Sequence, residues 1–243
     1  METVWDKAKT IDEIPAWIKL CLYGPQGAGK TALAATAPKP AWIDFERSSE
    51  TLRSMPVQFH SIPILKPDSM DDVFEAVKDF PNSPYETLVL DTGTNMQFFQ
   101  LREEMVKAKK KNASRDIYLP LFQEFRISSE MLYDIFVKLQ DMEKHVIVIC
   151  HEKEEWEVIN DTKVLMNIRP DLTPAVASKL NGLLNFTGRL EYKAGMGSNP
   201  AKRILTVNPS GKITAKNRLG IQETSIENPI LEKIFTESYK LKS

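Results

Sequence analysis

Eight consecutive residues carry the plainest chemistry in the chain: Gly24, Pro25, Gln26, Gly27, Ala28, Gly29, Lys30 and Thr31 fit GxxxxGK[ST] in full. Glycines at this spacing let successive backbone N–H groups turn inward as a nest for anionic oxygens, and a helix opening at Lys30 adds its positive amino end. A lysine here reaches β- and γ-phosphates, and the Thr31 hydroxyl suits Mg²⁺. The pattern predicts a site for a nucleoside triphosphate with its metal ion.

Three further stretches hold groups that could work beside such a site. In YETLVLDTGTN, Asp91 ends a four-residue apolar run, and a carboxylate at the carboxyl end of a parallel strand can hold Mg²⁺, although an aspartate there is also a common turn or helix cap. In AWIDFERSSE, Asp44 and Glu46 are two apart and share one face of an extended segment, so either could polarise an attacking water. In HVIVICHEKEEWE, His151 leaves an apolar strand. It could hydrogen-bond a γ-phosphate or a water, or simply end the strand.

The elements that must position these groups alternate along the chain. WIKLCLY (17–23), PAWIDF (40–45), TLVLD (87–91) and HVIVIC (145–150) read as strands, with helical stretches GKTALAATA, MDDVFEAVKDF and LFQEFRISSEMLYDIFVKLQDMEK between them. Continuous apolar strands alternating with helices predict an α/β fold, a mostly parallel central sheet flanked by helices. After Pro170, NFTGRLEYKA, KRILTVNP and KITAKNRLG alternate polar and apolar residues, which predicts antiparallel C-terminal strands extending the sheet, then a short helix near ENPILEKIF. Phe122, Phe125, Tyr133 and Phe136 fit the apolar face of one long helix and are assigned to the core. Trp156 to Thr173 is long for a loop and predicts a hairpin or functional connection.

The whole composition is permissive. With 243 residues and 42% hydrophobic content the chain can bury one substantial core, and a formal charge of −1 leaves no global basic field, so any nucleic-acid surface must be local. The two cysteines, Cys21 and Cys150, sit in apolar strand-like runs, which points to buried thiols in a reducing compartment. No apolar run approaches the ~18–20 residues needed to span a bilayer, so a cytoplasmic protein without membrane association is expected.

In their order, these motifs resemble the RecA-like branch of P-loop ATPases, and more narrowly the small phage-encoded RecA-core ATPases of single-strand annealing and recombination. The phosphate loop is followed by "IDFE", "LVLDT", "VIVICHEK" and a basic "ITAKNR", covering residues 17–222. The resemblance implies one RecA-like domain over 1–243, with a 1–16 extension, a 17–222 core and a 223–243 helix and tail. It implies ATP as the nucleotide, Glu46 as the residue that activates water, Asp91 as the Mg²⁺ partner and His151 as the γ-phosphate sensor. Lys216 and Arg218 match two cations that RecA-type proteins extend into a neighbour's ATP site, which implies a homo-oligomer, ring or filament. If phage-encoded, the protein works in the cytoplasm of a bacterial host.

The resemblance also implies single-stranded DNA as the partner, with a single-strand-binding protein as a further one. The loops that face DNA correspond to the connection after His151, which holds Lys153, Trp156, Lys163 and Arg169, while Lys107, Lys109, Lys110, Lys111 and Arg115 form the densest positive run. Cations for phosphates and flat side chains for bases are what single-strand binding uses. A helicase-like motor and a nucleotide-dependent switch or loader with low turnover are the competing readings.

Overall fold

The computed structural model describes residues 3–14, 16–195 and 200–238. Its centre is β1 (Lys19–Gly24), buried at every position because strands cover both its sides and helices both its faces. The chain continues through α1 (Lys30–Ala34), β2 (Pro40–Asp44), β3 (Ile64–Leu65), α2 (Met70–Asp79), β4 (Thr87–Asp91), α3 (Gly93–Lys111), α4 (Phe122–Asp141), β5 (His145–Ile159) and β6 (Thr162–Pro170). It ends with α5 (Pro174–Leu183), β7 (Phe186–Lys193), β8 (Lys202–Thr206), β9 (Lys216–Asn217), β10 (Ser225–Glu227) and α6 (Leu231–Glu237).

The sheet runs β10-β8-β7-β1-β5-β4-β2-β3. From β7 to β3 all neighbours are parallel, while β8 and β9 run antiparallel to β7, and β10 to β8. The expected antiparallel extension is therefore present, with one correction: its first strand, β7, joins β1 in parallel. The reason is α5, which crosses back over the sheet between β6 and β7 and was not apparent in the sequence.

Side-chain alternation divides the core in two. Cys21, Tyr23, Ile43, Leu90, Val148 and Cys150 pack under α2 to α5, while Leu20, Leu22, Trp42, Val89, Ile149 and Leu190 pack under α1 and α6. Cys21 and Cys150 are buried free thiols. Leu231, Ile234 and Phe235 of α6 enter the second cluster, so α6 is part of the folded unit.

Two projections rise from the carboxyl edge of the parallel strands. Pairing of β5 with β1 ends at His151 opposite Gly24, and β5 then continues from Glu152 to Ile159, roughly 25 Å of strand, paired only with β6. Asn160 and Asp161 close this hairpin with left-handed φ of 48° and 59°, the combination that matches strand twist in a two-residue turn. The second projection is α3 with the start of α4. Gln97 and Leu101 lie level with Thr173 at that edge, beside Ser128 and Leu132 of α4. The later turns of α3 and the first turns of α4 therefore pass beyond the sheet, clasped by Arg115 on Glu124 at 2.7 Å.

That overhang corrects the assignment of the aromatics. Phe136 is buried, but Phe122 is 85% exposed, and Phe125 and Tyr133 also reach solvent. The helical period holds for Phe136, whereas the first turns of α4, with Phe122 and Phe125, have no sheet beneath them, and Tyr133 lies at the margin of the buried face beneath the Lys179 ammonium. Among the described residues, no helix is long and apolar enough to cross a membrane.

Candidate nucleotide site

The loop between β1 and α1 needs glycine for two different reasons. Gly24 has φ +153°, and a Cβ there would stand 2.0 Å from the Leu190 carbonyl oxygen, so β7 leaves no room for a side chain. Gly27 and Gly29 have φ +75° and +92°, which turns the loop tightly enough to start α1 at Lys30. The Lys30 ammonium donates to the carbonyls of Gly24 and Pro25, each at 2.9 Å. Burial lowers its pKa, and Asp91 and Glu46 oppose the shift, so a cation is held beneath the loop facing two carboxylates.

Asp91 ends β4 on the α1 side of the sheet, beside the loop. One carboxylate oxygen, Oδ2, accepts from Thr31 Oγ1 at 2.9 Å and from Trp42 Nε1 at 3.3 Å. The other, Oδ1, is buried without a hydrogen-bond partner. Burial raises this carboxyl above the usual carboxylate range, with the Glu46 charge adding to the shift and the nearby Ser48 hydroxyl and the Thr31 and Trp42 donors opposing it; the Ser48 hydroxyl is itself buried outside hydrogen-bond geometry. An unpartnered buried carboxylate oxygen beside a threonine hydroxyl fits a hard cation such as Mg²⁺. Since no cluster of three His, Cys, Asp or Glu gathers among the described residues, such a cation would also draw on phosphate oxygens.

The two acids at the end of β2, open alternatives in the sequence, take different positions. Asp44 is buried and holds the turn that follows it: Oδ1 accepts the Glu46 N–H at 3.1 Å, and Oδ2 accepts the Ser49 N–H and hydroxyl. Glu46, carried by that turn, reaches across the ends of β4 and β5. Its Oε2 accepts from His151 Nε2 at 2.9 Å and from Asn95 Nδ2 at 2.5 Å. Neither donor touches Oε1, which has no protein hydrogen bond among the described residues. Asn95 was not singled out from the sequence, though its place four residues after Asp91, in the first turn of α3, is a local clue.

His151 is the last β5 residue paired with β1 and the first step into the hairpin. Its N–H donates to Thr94 Oγ1 at 3.0 Å, and Thr94 Oγ1 donates to the Asp171 carbonyl where β6 returns. Glu152 is gripped by Arg189 of β7, with Nε to Oε2 at 2.6 Å. The hairpin base is thus tied directly to the group that holds Glu46.

The remaining site residues lie elsewhere. Lys216 and Asn217 pair with Thr187 and Phe186, level with Cys21 and Leu20 of β1 and well below the phosphate loop. The Lys216 ammonium donates to the Asn181 carbonyl, and burial with the nearby Arg218 charge lowers its pKa. On the hairpin, Lys163 stands 5.2 Å over the Trp156 ring, Lys153 is 4.0 Å from Asp171, and Arg169 is held by Glu155 and by the Pro170 and Leu172 carbonyls. On the overhang, Lys107 pairs with Glu104, Lys109 donates to the Ala113 carbonyl and Arg115 is clasped by Glu124, while Lys110 and Lys111 are exposed.

A phosphate loop, a strand-end aspartate and a glutamate on the next strand, on a parallel sheet with one strand between loop and aspartate, define a P-loop ATPase of RecA-like fold. The chain belongs to the family described as an AAA domain, whose profile matches residues 16–219. It is similar in structure to a KaiC-like protein from the hyperthermophilic archaeon Pyrococcus horikoshii OT3, with a TM-score of 0.50 and 14% identity over 86% of this chain and 83% of that one. At that identity the likeness concerns the fold. No curated protein matches the chain.

Proposed function

We propose that the protein hydrolyses ATP at this site as a homo-oligomer and acts through the cycle on single-stranded DNA, in recombination or annealing of the phage type. Lys30 and the loop N–H groups bind the phosphates, and Glu46 takes the proton of a water that attacks the γ-phosphorus, releasing ADP and phosphate. Oε1 is the oxygen for that proton, because His151 and Asn95 both donate to Oε2 and fix the carboxylate's orientation. Mg²⁺, held by Thr31 and Asp91 with the phosphates, supplies charge neutralisation on the transferring group.

One observation carries the DNA reading: the hairpin and the α3–α4 overhang both rise from the carboxyl edge that holds the nucleotide site. Each sets flat side chains among cations. The hairpin offers Trp156 beside Lys163, with Lys153 lower down, and the overhang offers Tyr118 at 80% exposure beside Arg102, the exposed Phe122, and the exposed Lys110 and Lys111 at the end of α3. The hairpin starts at His151, so a change at Glu46 reaches it through one residue. The phage affiliation rests on the motif order alone.

ATPase assays with and without single-stranded DNA, run beside a strand-displacement substrate, test the proposal. Stimulation without displacement is the expected result. Displacement would favour a motor, and turnover blind to DNA with none of it bound would favour a switch acting on a protein partner.

A further inference from the structure

Catalytic groups occupy one flank of the phosphate loop. Glu46, Asp91 and His151 come from β2, β4 and β5, all on the same side of β1. A triphosphate whose γ end faces them must send its nucleoside toward the other side, where β7 and β8 stand.

There, Tyr192 of β7 and Arg203 of β8 are direct cross-strand partners. Each lies two residues from a side chain packed under α1, Leu190 for Tyr192 and Leu205 for Arg203, so both share the α1 face of the sheet at its carboxyl edge. Arg203 lies against the loop itself: Nε donates to the Ala28 carbonyl at 3.2 Å, and a Cβ on Gly29 would come within 2.4 Å of it. Its guanidinium carbon is 6.0 Å from the centre of the Tyr192 ring, and that ring is 52% exposed. A half-exposed aromatic face, pinned by a cation that also touches the phosphate loop, has no packing role on its open side.

The geometry points to Tyr192 and Arg203 as a base platform: the nucleoside's ring stacks on Tyr192 while Arg203 braces both the ring and the loop, giving the site a preference for purine over pyrimidine triphosphates. The larger ring system of a purine covers more of the tyrosine face, which is the source of the preference. This deepens the proposed ATPase reading and rests on it. Nothing local in the sequence marks the pair, since only strand pairing brings either residue to the loop.

Calorimetric titration of the full chain with ATP, UTP and inorganic tripolyphosphate tests the platform. Wild type should bind ATP more tightly than UTP. Tyr192→Ala should weaken ATP about 5- to 100-fold, the range that base stacking on an aromatic supplies, and erase its advantage over UTP. Tyr192→Phe should keep both. Tripolyphosphate, which has no base, should bind all three proteins alike. ATP affinity unchanged in Tyr192→Ala, or tripolyphosphate affinity falling in step with it, overturns the platform while leaving the phosphate site in place. A wild type that binds neither ATP nor tripolyphosphate overturns the nucleotide site itself, and the platform with it.

Discussion

Glu46 Oε2 and His151 Nε2 stand 2.9 Å apart, joining residues that are 105 positions apart in the chain. The contact places a nucleotide-side group in direct touch with the root of the hairpin. A base held this way should be dispensable for binding and needed for turnover.

Glu46→Gln should therefore retain ATP affinity while turnover falls by about 10²–10⁴-fold, the usual cost of a missing general base. Lys30→Ala should lose affinity. His151→Ala leaves Glu46 in place with Asn95 and the Thr92 hydroxyl as its remaining anchors, so it should reduce turnover less than Glu46→Gln and weaken any stimulation by DNA. Equal kcat for Glu46→Gln and wild type, measured by phosphate release, would remove Glu46 from the chemistry.

The loop glycines should differ sharply. Gly24→Ala drives a methyl into a backbone oxygen 2.0 Å away, which no rotamer change relieves, so β1 and β7 must separate and folded protein should be lost or strongly destabilised. Gly27 has nothing within 4 Å of its ideal Cβ. Gly27→Ala should cost only the left-handed backbone strain, about 1–2 kcal/mol. Thermal melts of the two variants distinguish these outcomes.

A pH dependence of stability follows from His145 at the opposite edge. Its Nδ1 accepts the Ile18 N–H at 3.0 Å, and its ring packs between Trp17 and Phe235. Burial, with the Lys19 charge adding, lowers its pKa to about 4 from an ordinary value near 6.5, against the opposing Glu86 charge. The unfolded chain therefore binds the proton more readily, and stability rises with pH across that interval. This contribution is complete above about 6.5 and is lost as pH falls toward 4. Urea midpoints between pH 7 and 4.5 should show it, and His145→Gln should flatten the slope in that window.

The parts of the site that depend on spacing along the chain were legible in the sequence: the phosphate loop, the strand-end Asp91 and the acidic pair at the end of β2 each announce themselves within a few residues. What separated Asp44 from Glu46 was a turn, because the Ser49 donors draw Asp44 inward and leave Glu46 to reach His151. Tyr192 and Arg203 were invisible because they act through a pairing set by the sheet. Phe122 and Phe125 misled for a related reason: a helical period shows which face is apolar but not where the supporting sheet stops.

Neutralising Lys110 and Lys111 together, or replacing Trp156 by Ala, should separate the two projections. The lysine change should lower DNA affinity across sequences and flatten its salt dependence, since fewer counterions are released on binding. The tryptophan change should lower affinity at every salt concentration with the slope intact. Anisotropy of a labelled oligonucleotide across a salt series reads both, and a slope unchanged by the double lysine variant would return those residues to a solvated helix end.

The final prediction concerns Lys216 and Arg218. Their strand pairs with β7 level with Cys21, below the loop of their own chain, and Lys216 turns toward the Asn181 carbonyl near the end of α5. In this chain they do not reach the phosphates, so any catalytic part they play must be in a neighbour's site, where two fixed cations would stabilise charge on the transferring phosphoryl group. Glu46→Gln and the Lys216→Ala/Arg218→Ala double variant should then each be inactive alone. Mixed under conditions of subunit exchange, the double variant supplies an intact Glu46 and the other supplies intact cations, so complete sites form at some interfaces and ATPase returns. With random assembly about a quarter of interfaces carry both intact halves, which sets the ceiling for recovery if neighbouring sites fire independently. If the exchanged mixture stays inactive, the two cations work in their own subunit or take no part, and hydrolysis is not completed across an interface.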